Sequence, residues 1–407
     1  MDILTIIAMW LRDILGPNGL GLALWFVDLL MAILRAVVIG TVALLAFMFL
    51  TWLERKVIGR IQDRLGPTYA GPLGLLQPIA DGIKTITKEI IFPRGVDKGP
   101  FILGPILAAM AALCVFAVIP FGPDTGGGAL VGTSLNVGLI YVLAVGAAGV
   151  VAVISGGWGS NNKFALLGTF RAVAQLISYE VPQFLSLVTV AMLAGTLDMV
   201  GIVDAQTVPF VIPLFITSQI FLLSGVAESG RSPFDLLEAD SEIVAGFHVE
   251  YSAMMFALIQ MGEYIHAFAI ACIFTTVFLN GWAWPFLPAL SFVWFMLKSF
   301  GVFLILIWFR GTLPRFRIDQ MMAFNWKFLV PVSIVNVILI AVVDTVLRRT
   351  AGWSSTNNPW AWGGVMFAAN LVLLFISLAI AGRVGRRARE RDLARLKSRA
   401  AVPAAGR

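Results

Sequence analysis

Long apolar runs bounded by glycine, proline or charge divide the chain into nine segments, near 23–52, 101–120, 135–155, 165–194, 208–227, 248–279, 287–309, 328–347 and 361–382. About 20 apolar residues let an α-helix cross the hydrocarbon layer. The pattern therefore predicts an all-α, polytopic transmembrane helix bundle of about nine spans. The runs are too continuous for the alternating strands of about ten residues that build an outer-membrane barrel. The segment 1–15 carries Asp2, Arg12 and Asp13 around a short apolar run, with no small-residue cleavage site after it. It reads as an amphipathic lead-in helix rather than a cleavable signal. No internal repeat emerges, so an inverted-repeat transporter architecture gains no support.

One segment breaks the spanning pattern. Between Pro72 and Pro93, Leu76, Ile79, Ile83, Ile86 and Ile90 recur at intervals of three and four, whereas Asp81, Lys84 and Lys88 fall on another face. That is an amphipathic helix lying along the membrane surface after the first span. It reads either as an interfacial anchor with snorkelling lysines or as the floor of a cavity at lipid level, with Asp81 on the same polar face as two ammonium groups.

Composition agrees: 59% of the 407 residues are hydrophobic and only 13% charged, and the mean hydropathy is +0.90. The net charge of +6 does not indicate nucleic acid, because nine Lys and Arg against two acids lie from Arg383 onward, where a basic tail beside a span attracts anionic lipid. Cys114 and Cys272 both sit in apolar runs. Two thiols supply neither a disulfide framework nor the four ligands of an iron-sulfur cluster, so no metal site is expected and any redox metal belongs to a partner. Lys and Arg crowd alternate loops, with eight between Arg55 and Lys98 and none from Ile119 to Val137. The positive-inside rule then places the N-terminus outside and the main polar loops and C-terminal tail in the cytoplasm, although Arg348 and Arg349 violate the pattern.

The polar residues gather in those inner loops. Span four carries Arg171, Gln175, Tyr179, Glu180 and Gln183, with Pro182 expected to kink it. A carboxylate at membrane depth costs roughly 2.5 to 3.5 kcal/mol, so Glu180 is expected to face protein or water, as an ion pair or as a proton carrier. Glu228, Arg231, Asp235, Glu238, Asp240, Glu242 and Glu250 are interleaved with Phe234, Leu236, Leu237, Ile243, Val244 and Phe247. A helix after Pro233 would set Asp235, Glu238 and Glu242 on one face. The segment is a solvated acidic loop or a buried relay in which crowded, desolvated carboxylates retain protons near neutrality. Glu263 and His266 in span six would extend a polar track inward, although a lone membrane histidine is often a hydrogen-bonded core residue. Arg310, Arg315, Arg317 and Asp319 form either a partner-docking loop or ordinary positive-inside anchoring.

These strings resemble the H-subunit family of bacterial NADH-quinone oxidoreductase, respiratory complex I, whose mitochondrial counterpart is subunit 1. The resemblance is carried by Glu54-Arg55-Lys56, Arg64 with Gly66-Pro67, Gly71-Pro72 through Asp81-Gly82 to Lys84, Ser160-Asn161-Asn162-Lys163, Ser178-Tyr179-Glu180, Arg231 through Asp235, Val244-Ala245-Gly246-Phe247, Glu250-Tyr251, and Leu313-Pro314-Arg315 with Asp319-Gln320. It implies a proton-translocating enzyme subunit of the bacterial inner membrane, without a complete active site of its own. Ubiquinone or menaquinone would be the substrate. FMN and iron-sulfur clusters would reside in other subunits of the complex. The partners implied are peripheral subunits bearing the clusters and the quinone site, adjacent membrane subunits, and lipid. Arg55, Asp81, Lys84, Arg231 and Phe234 would border the quinone passage. Glu180, Asp235, Glu238, Asp240, Glu242, Glu250 and Glu263 would couple quinone reduction to proton movement, and Glu228, read from the acidic segment itself, is placed with them.

Gly230 stands where the family usually has Asn, and Asp240 where Glu is usual. The chain divides into a quinone-site core, 1–350, with about eight spans, and an additional span with a basic tail, 351–407, whose role the resemblance does not supply. Two other classes remain open: the related membrane subunit of a group 4 membrane-bound hydrogenase, and a stand-alone cation transporter.

Overall fold

Each apolar run closes its backbone hydrogen bonds as a helix, which satisfies peptide groups where no water is available. The computed structural model describes residues 24–123, 131–235, 244–283, 290–355 and 357–400. In order the helices are α1 (Leu24–Ile61), α2 (Gln77–Thr87), α3 (Lys98–Val115), α4 (Gly138–Gly159), α5 (Lys163–Ala194), α6 (Met199–Asp204), α7 (Phe215–Glu228), α8 (Ala253–Phe278), α9 (Ser291–Thr312), α10 (Ile318–Phe324), α11 (Val330–Thr350) and α12 (Pro359–Ala400). A π turn, Asn325–Leu329, fuses α10 to α11. Eight of the described helices, counting that fusion as one, are long and apolar enough to cross a membrane, and α7 is a shorter apolar helix. No strand occurs among the described residues. The expected lead-in helix at 1–15 lies outside them.

The predicted fifth span, 208–227, differs from the observed helix. α7 has 14 residues, about 21 Å of helix at 1.5 Å per residue against a hydrocarbon layer of about 30 Å. The irregular backbone before it is tied down by side chains. Gln206 Nε2 donates to Thr276 O at 2.9 Å, while its Oε1 accepts from Asn280 N at 2.9 Å.

α8 is the central post, packing against α1, α3, α7 and α9. Every residue from Ala267 to Phe278 is buried, as expected of a helix apolar on all sides. α3 and α4 cross closely because a Cβ on Gly104 would lie 2.9 Å from Gly156 Cα, the small-residue contact common between membrane helices.

Prolines inside α3 and α5 interrupt those spans, and both interruptions are repaired from elsewhere. Proline has no N–H for the carbonyl four residues earlier. Pro105 in α3 thus frees Phe101 O, which accepts from the Tyr251 hydroxyl at 2.9 Å. Pro182 in α5 frees Ser178 O, which accepts from Asn325 Nδ2 in the π turn at 2.5 Å.

After α1 the chain doubles back. A Cβ on Gly66 would come within 3.1 Å of Arg55 O, and one on Gly74, at φ +78°, would overlap Pro67 O. Only glycine permits the second approach, and it sets α2 beside the end of α1. The amphipathic surface helix predicted from the sequence forms here, with no buried residue and with Ile79, Ile83 and Ile86 exposed.

Candidate functional site

A buried charge cluster lies where α1, α9 and the loop after α7 meet. Glu54, only 2% exposed, accepts from Arg231 Nη1 at 2.5 Å on one carboxylate oxygen and from Arg310 Nη1 on the other. The Arg231 guanidinium lies 4.5 Å from the ring centre of Tyr264 and 5.3 Å from that of Phe303. Two cations on one carboxylate, with aromatic faces on the guanidinium, supply the compensation that buried charge requires. The sequence marks Arg231 and Arg55 but assigns Glu54 no role. The available signal was an acid ending an apolar span, where an ionisable group needs a partner.

The next residue turns the other way. Arg55 Nη1 meets Asp81 Oδ2 at 2.6 Å and Lys84 Nζ meets Asp81 Oδ1 at 3.0 Å, with Asp81 in the middle of α2 and Lys84 in its last turn. Partial burial pushes the Asp81 carboxyl upward, but hydrogen bonds and charge from Arg55 and Lys84 outweigh it and hold Asp81 below the usual carboxylate range. Consecutive residues at the end of α1 therefore anchor a buried charge centre and an exposed one.

Phe234, predicted to border a passage, is 2% exposed. Its ring packs 5.3 Å from Tyr179 and 5.7 Å from Phe316. Its carbonyl, like that of Ala227, accepts from Gln175 Nε2 at 2.7 Å. Gln175, a second residue to which the sequence assigns no role, thereby fastens the loop 227–234 to α5. Asp235 is paired with Arg315 at 2.8 Å while its Oδ1 is buried without a hydrogen-bond partner among the described residues. Arg310 and Arg315, expected in a docking or anchoring loop, thus serve at least partly within the chain. Glu250 accepts from Asn162 Nδ2 at 2.7 Å, and the same Asn162 caps α5 through its oxygen on Phe164 N. Glu238, Asp240 and Glu242, with the helix expected after Pro233, lie outside the described residues.

Between the helices, α3, α4, α5, α7 and α8 line a half-open cavity onto which Glu180, Glu228, Glu263 and His266 all face. Glu228 Oε1 lies 3.2 Å from His266 Nε2, and Glu228 Oε2 is buried with no hydrogen-bond partner among the described residues. Gly146 of α4 leaves the room: a Cβ there would lie 3.5 Å from Glu228 Oε1. Three of the predicted carboxylates and His266 thus line one space.

Membrane-length helices around interior acids and a histidine, beside a buried carboxylate held by two arginines, define a polytopic helical membrane protein with ionisable groups among its helices. A family model, NADH dehydrogenase, matches residues 34–341. The H subunit of NADH-quinone oxidoreductase from Dehalococcoides mccartyi is 48% identical over 305 residues, covering 75% of this chain and 84% of that protein. The H subunit designated 2 in Syntrophobacter fumaroxidans is 46% identical over 320 residues, 77% of this chain and 96% of the relative. The H subunit of Brevibacillus brevis is 44% identical over 329 residues, 79% and 94% respectively. The chain belongs to this NADH dehydrogenase family, among proteins named as the H subunit of NADH-quinone oxidoreductase.

Proposed function

We propose that this chain is the membrane subunit of a proton-translocating NADH-quinone oxidoreductase that borders the quinone passage and carries part of the proton-coupling path. The observation that carries the reading is the cavity holding Glu180, Glu228, Glu263 and His266 inside a bundle of membrane-length helices. Ionisable groups placed there are costly and mark ion or proton routes. Two adjacent carboxylates share charge unfavourably, so one of them takes up a proton when a neighbour loses one. The bare Glu228 oxygen leaves an acceptor open for such a transfer.

The quinone would enter beside α2, whose apolar face is exposed while Asp81 and Lys84 on its polar face pair with each other and with Arg55 of α1. Arg231 and Phe234, both buried, would form the wall behind that entrance. Reduction of a quinone takes up protons and alters charge at this end of the bundle. Asp235, Glu250 and the acids at 238, 240 and 242 would pass the change on to Glu228 and Glu180. Electrons would come from clusters in peripheral partner subunits, and the protons would be moved with adjacent membrane subunits. The basic loops and tail set the orientation: polar loops inside, N-terminus outside. The names of the relatives favour this reading over a hydrogenase subunit.

Glu180→Gln and Glu228→Gln, made singly in the whole complex, test it. Coupled NADH-quinone turnover falls by about tenfold or more, the scale of a lost proton-transfer group, with assembly and cluster reduction intact. Full proton-pumping turnover in both variants overturns the proposal.

A further inference from the structure

We infer that Asn370 of α12 is a positioning residue that fixes the start of α7 and, through that helix, the place of Glu228 in the cavity. α12 lies wholly past residue 341, where the family match ends, yet it is built into the interior. Trp362, Met366 and Asn370 are each at most 1% exposed, and α12 packs on α7 and α11.

Asn370 meets α7 where a helix is least self-sufficient. The first N–H groups of a helix have no partner within it, and leaving a polar backbone group unpaired in an apolar interior is costly. Asn370 Oδ1 accepts from Ile216 N at 3.3 Å, and its Nδ2 donates to Pro213 O at 2.9 Å and to Met366 O at 2.9 Å. One amide thus ties the irregular backbone before α7, the first turn of α7 and α12 itself. Because α7 stops short of the full hydrocarbon thickness, its height in the bundle is not set by its length.

The other end of α7 is Glu228, which faces His266 and the cavity. Helices are stiff over 14 residues, so a shift at Ile216 reappears at Glu228. Asn336 Nδ2 of α11 also reaches α7, at Thr217 Oγ1, 2.7 Å away. That bond is to a side chain and leaves the backbone of the first turn to Asn370. The consequence for turnover rests on the proton role proposed for Glu228, whereas the positioning itself does not.

The test is modification of Glu228 by dicyclohexylcarbodiimide, an apolar carboxyl reagent, in the assembled complex in native membranes, quantified by peptide mass spectrometry. Asn370→Leu removes donor and acceptor and changes the Glu228 modification rate by about fivefold or more, the factor that one buried hydrogen bond represents. Asn370→Asp, held neutral by its apolar surroundings, retains a donor and an acceptor and restores the wild-type rate. Trp362→Phe breaks the bond from α12 to Asp344 on α11, leaves those to α7, and leaves the rate unchanged. An unchanged rate in Asn370→Leu overturns the inference, as does an equal change in Trp362→Phe. If Asn370→Leu fails to assemble, an assembled Asn370→Asp with the wild-type rate supports it, and failure of both variants overturns it. Full pumping in Glu228→Gln would remove the proton role of Glu228 while leaving the modification result standing.

Discussion

Arg231 donates to Glu54 at 2.5 Å across 177 positions of sequence, with the two side chains only 6% and 2% exposed. Breaking a buried pair from one side costs about 3–5 kcal/mol, because the surviving charge stays desolvated. Glu54→Gln, which leaves Arg231 and Arg310 facing a neutral amide, therefore lowers the yield of assembled complex and its thermal inactivation temperature. Adding Arg231→Met to Glu54→Gln removes one stranded cation and recovers part of the loss. Thermal inactivation of the single and double variants measures the coupling.

At the exposed neighbour, Asp81 has a depressed carboxyl pKa, so it stays ionised until the pH falls below the usual carboxylate range. Any stability contributed by its ion pairs is present above the unfolded value and disappears as the pH drops through the lowered folded one. Arg55→Gln removes a hydrogen bond and a positive charge and raises the Asp81 pKa. The acid limb of the activity profile in Arg55→Gln membranes then moves to higher pH, while Asp81→Asn abolishes that limb. At this exposure the effect on stability is about 0–1 kcal/mol.

Gly146 lines the cavity beside Glu228. Gly146→Ala places its Cβ 3.5 Å from Glu228 Oε1, an ordinary contact, and retains near-normal turnover. Gly146→Leu fills the space between Glu228 and Glu180, and coupled turnover drops by about tenfold or more on the same proton-transfer scale. Comparison of proton pumping in the two variants, at matched complex content, checks the claim.

Asn325 supplies the bond that Pro182 denies to Ser178 O. Asn325→Leu leaves that carbonyl unpaired at a cost of about 1–3 kcal/mol, read as a lower inactivation temperature. Adding Pro182→Ala, which restores the helix's own N–H, offsets the loss. Tyr251→Phe should behave similarly at Phe101 O beside Pro105.

The all-α spanning architecture was legible because apolar length is written directly in the chain, and so was the surface helix, whose isoleucines repeat at helical spacing. The length of α7 was not legible. Residues 208–214 are apolar enough to pass for helix, and turn bonds of their own, a bond to Phe278 O and the amides of Gln206 and Asn370 hold them otherwise. Glu180, Glu228, Glu263 and His266 were individually visible as costly residues within or at the end of apolar runs, but their common cavity depends on how separate helices pack. Glu54 was hidden for the opposite reason: it sits in a basic cluster that resembles ordinary anchoring, and its partners lie 177 and 256 positions away.

The two interrupted spans carry a mechanical consequence. α3 and α5 each have one missing rung, and each rung is replaced by a splint from a segment at or near the charged end: Tyr251 beside Glu250, and Asn325 in the turn that follows the arginine loop. Drawing either splint away loosens its helix at the proline alone, because the other rungs are intrinsic. In α5 that joint lies two residues from Glu180. The straightness of the cavity wall is thereby made conditional on how the polar loops sit.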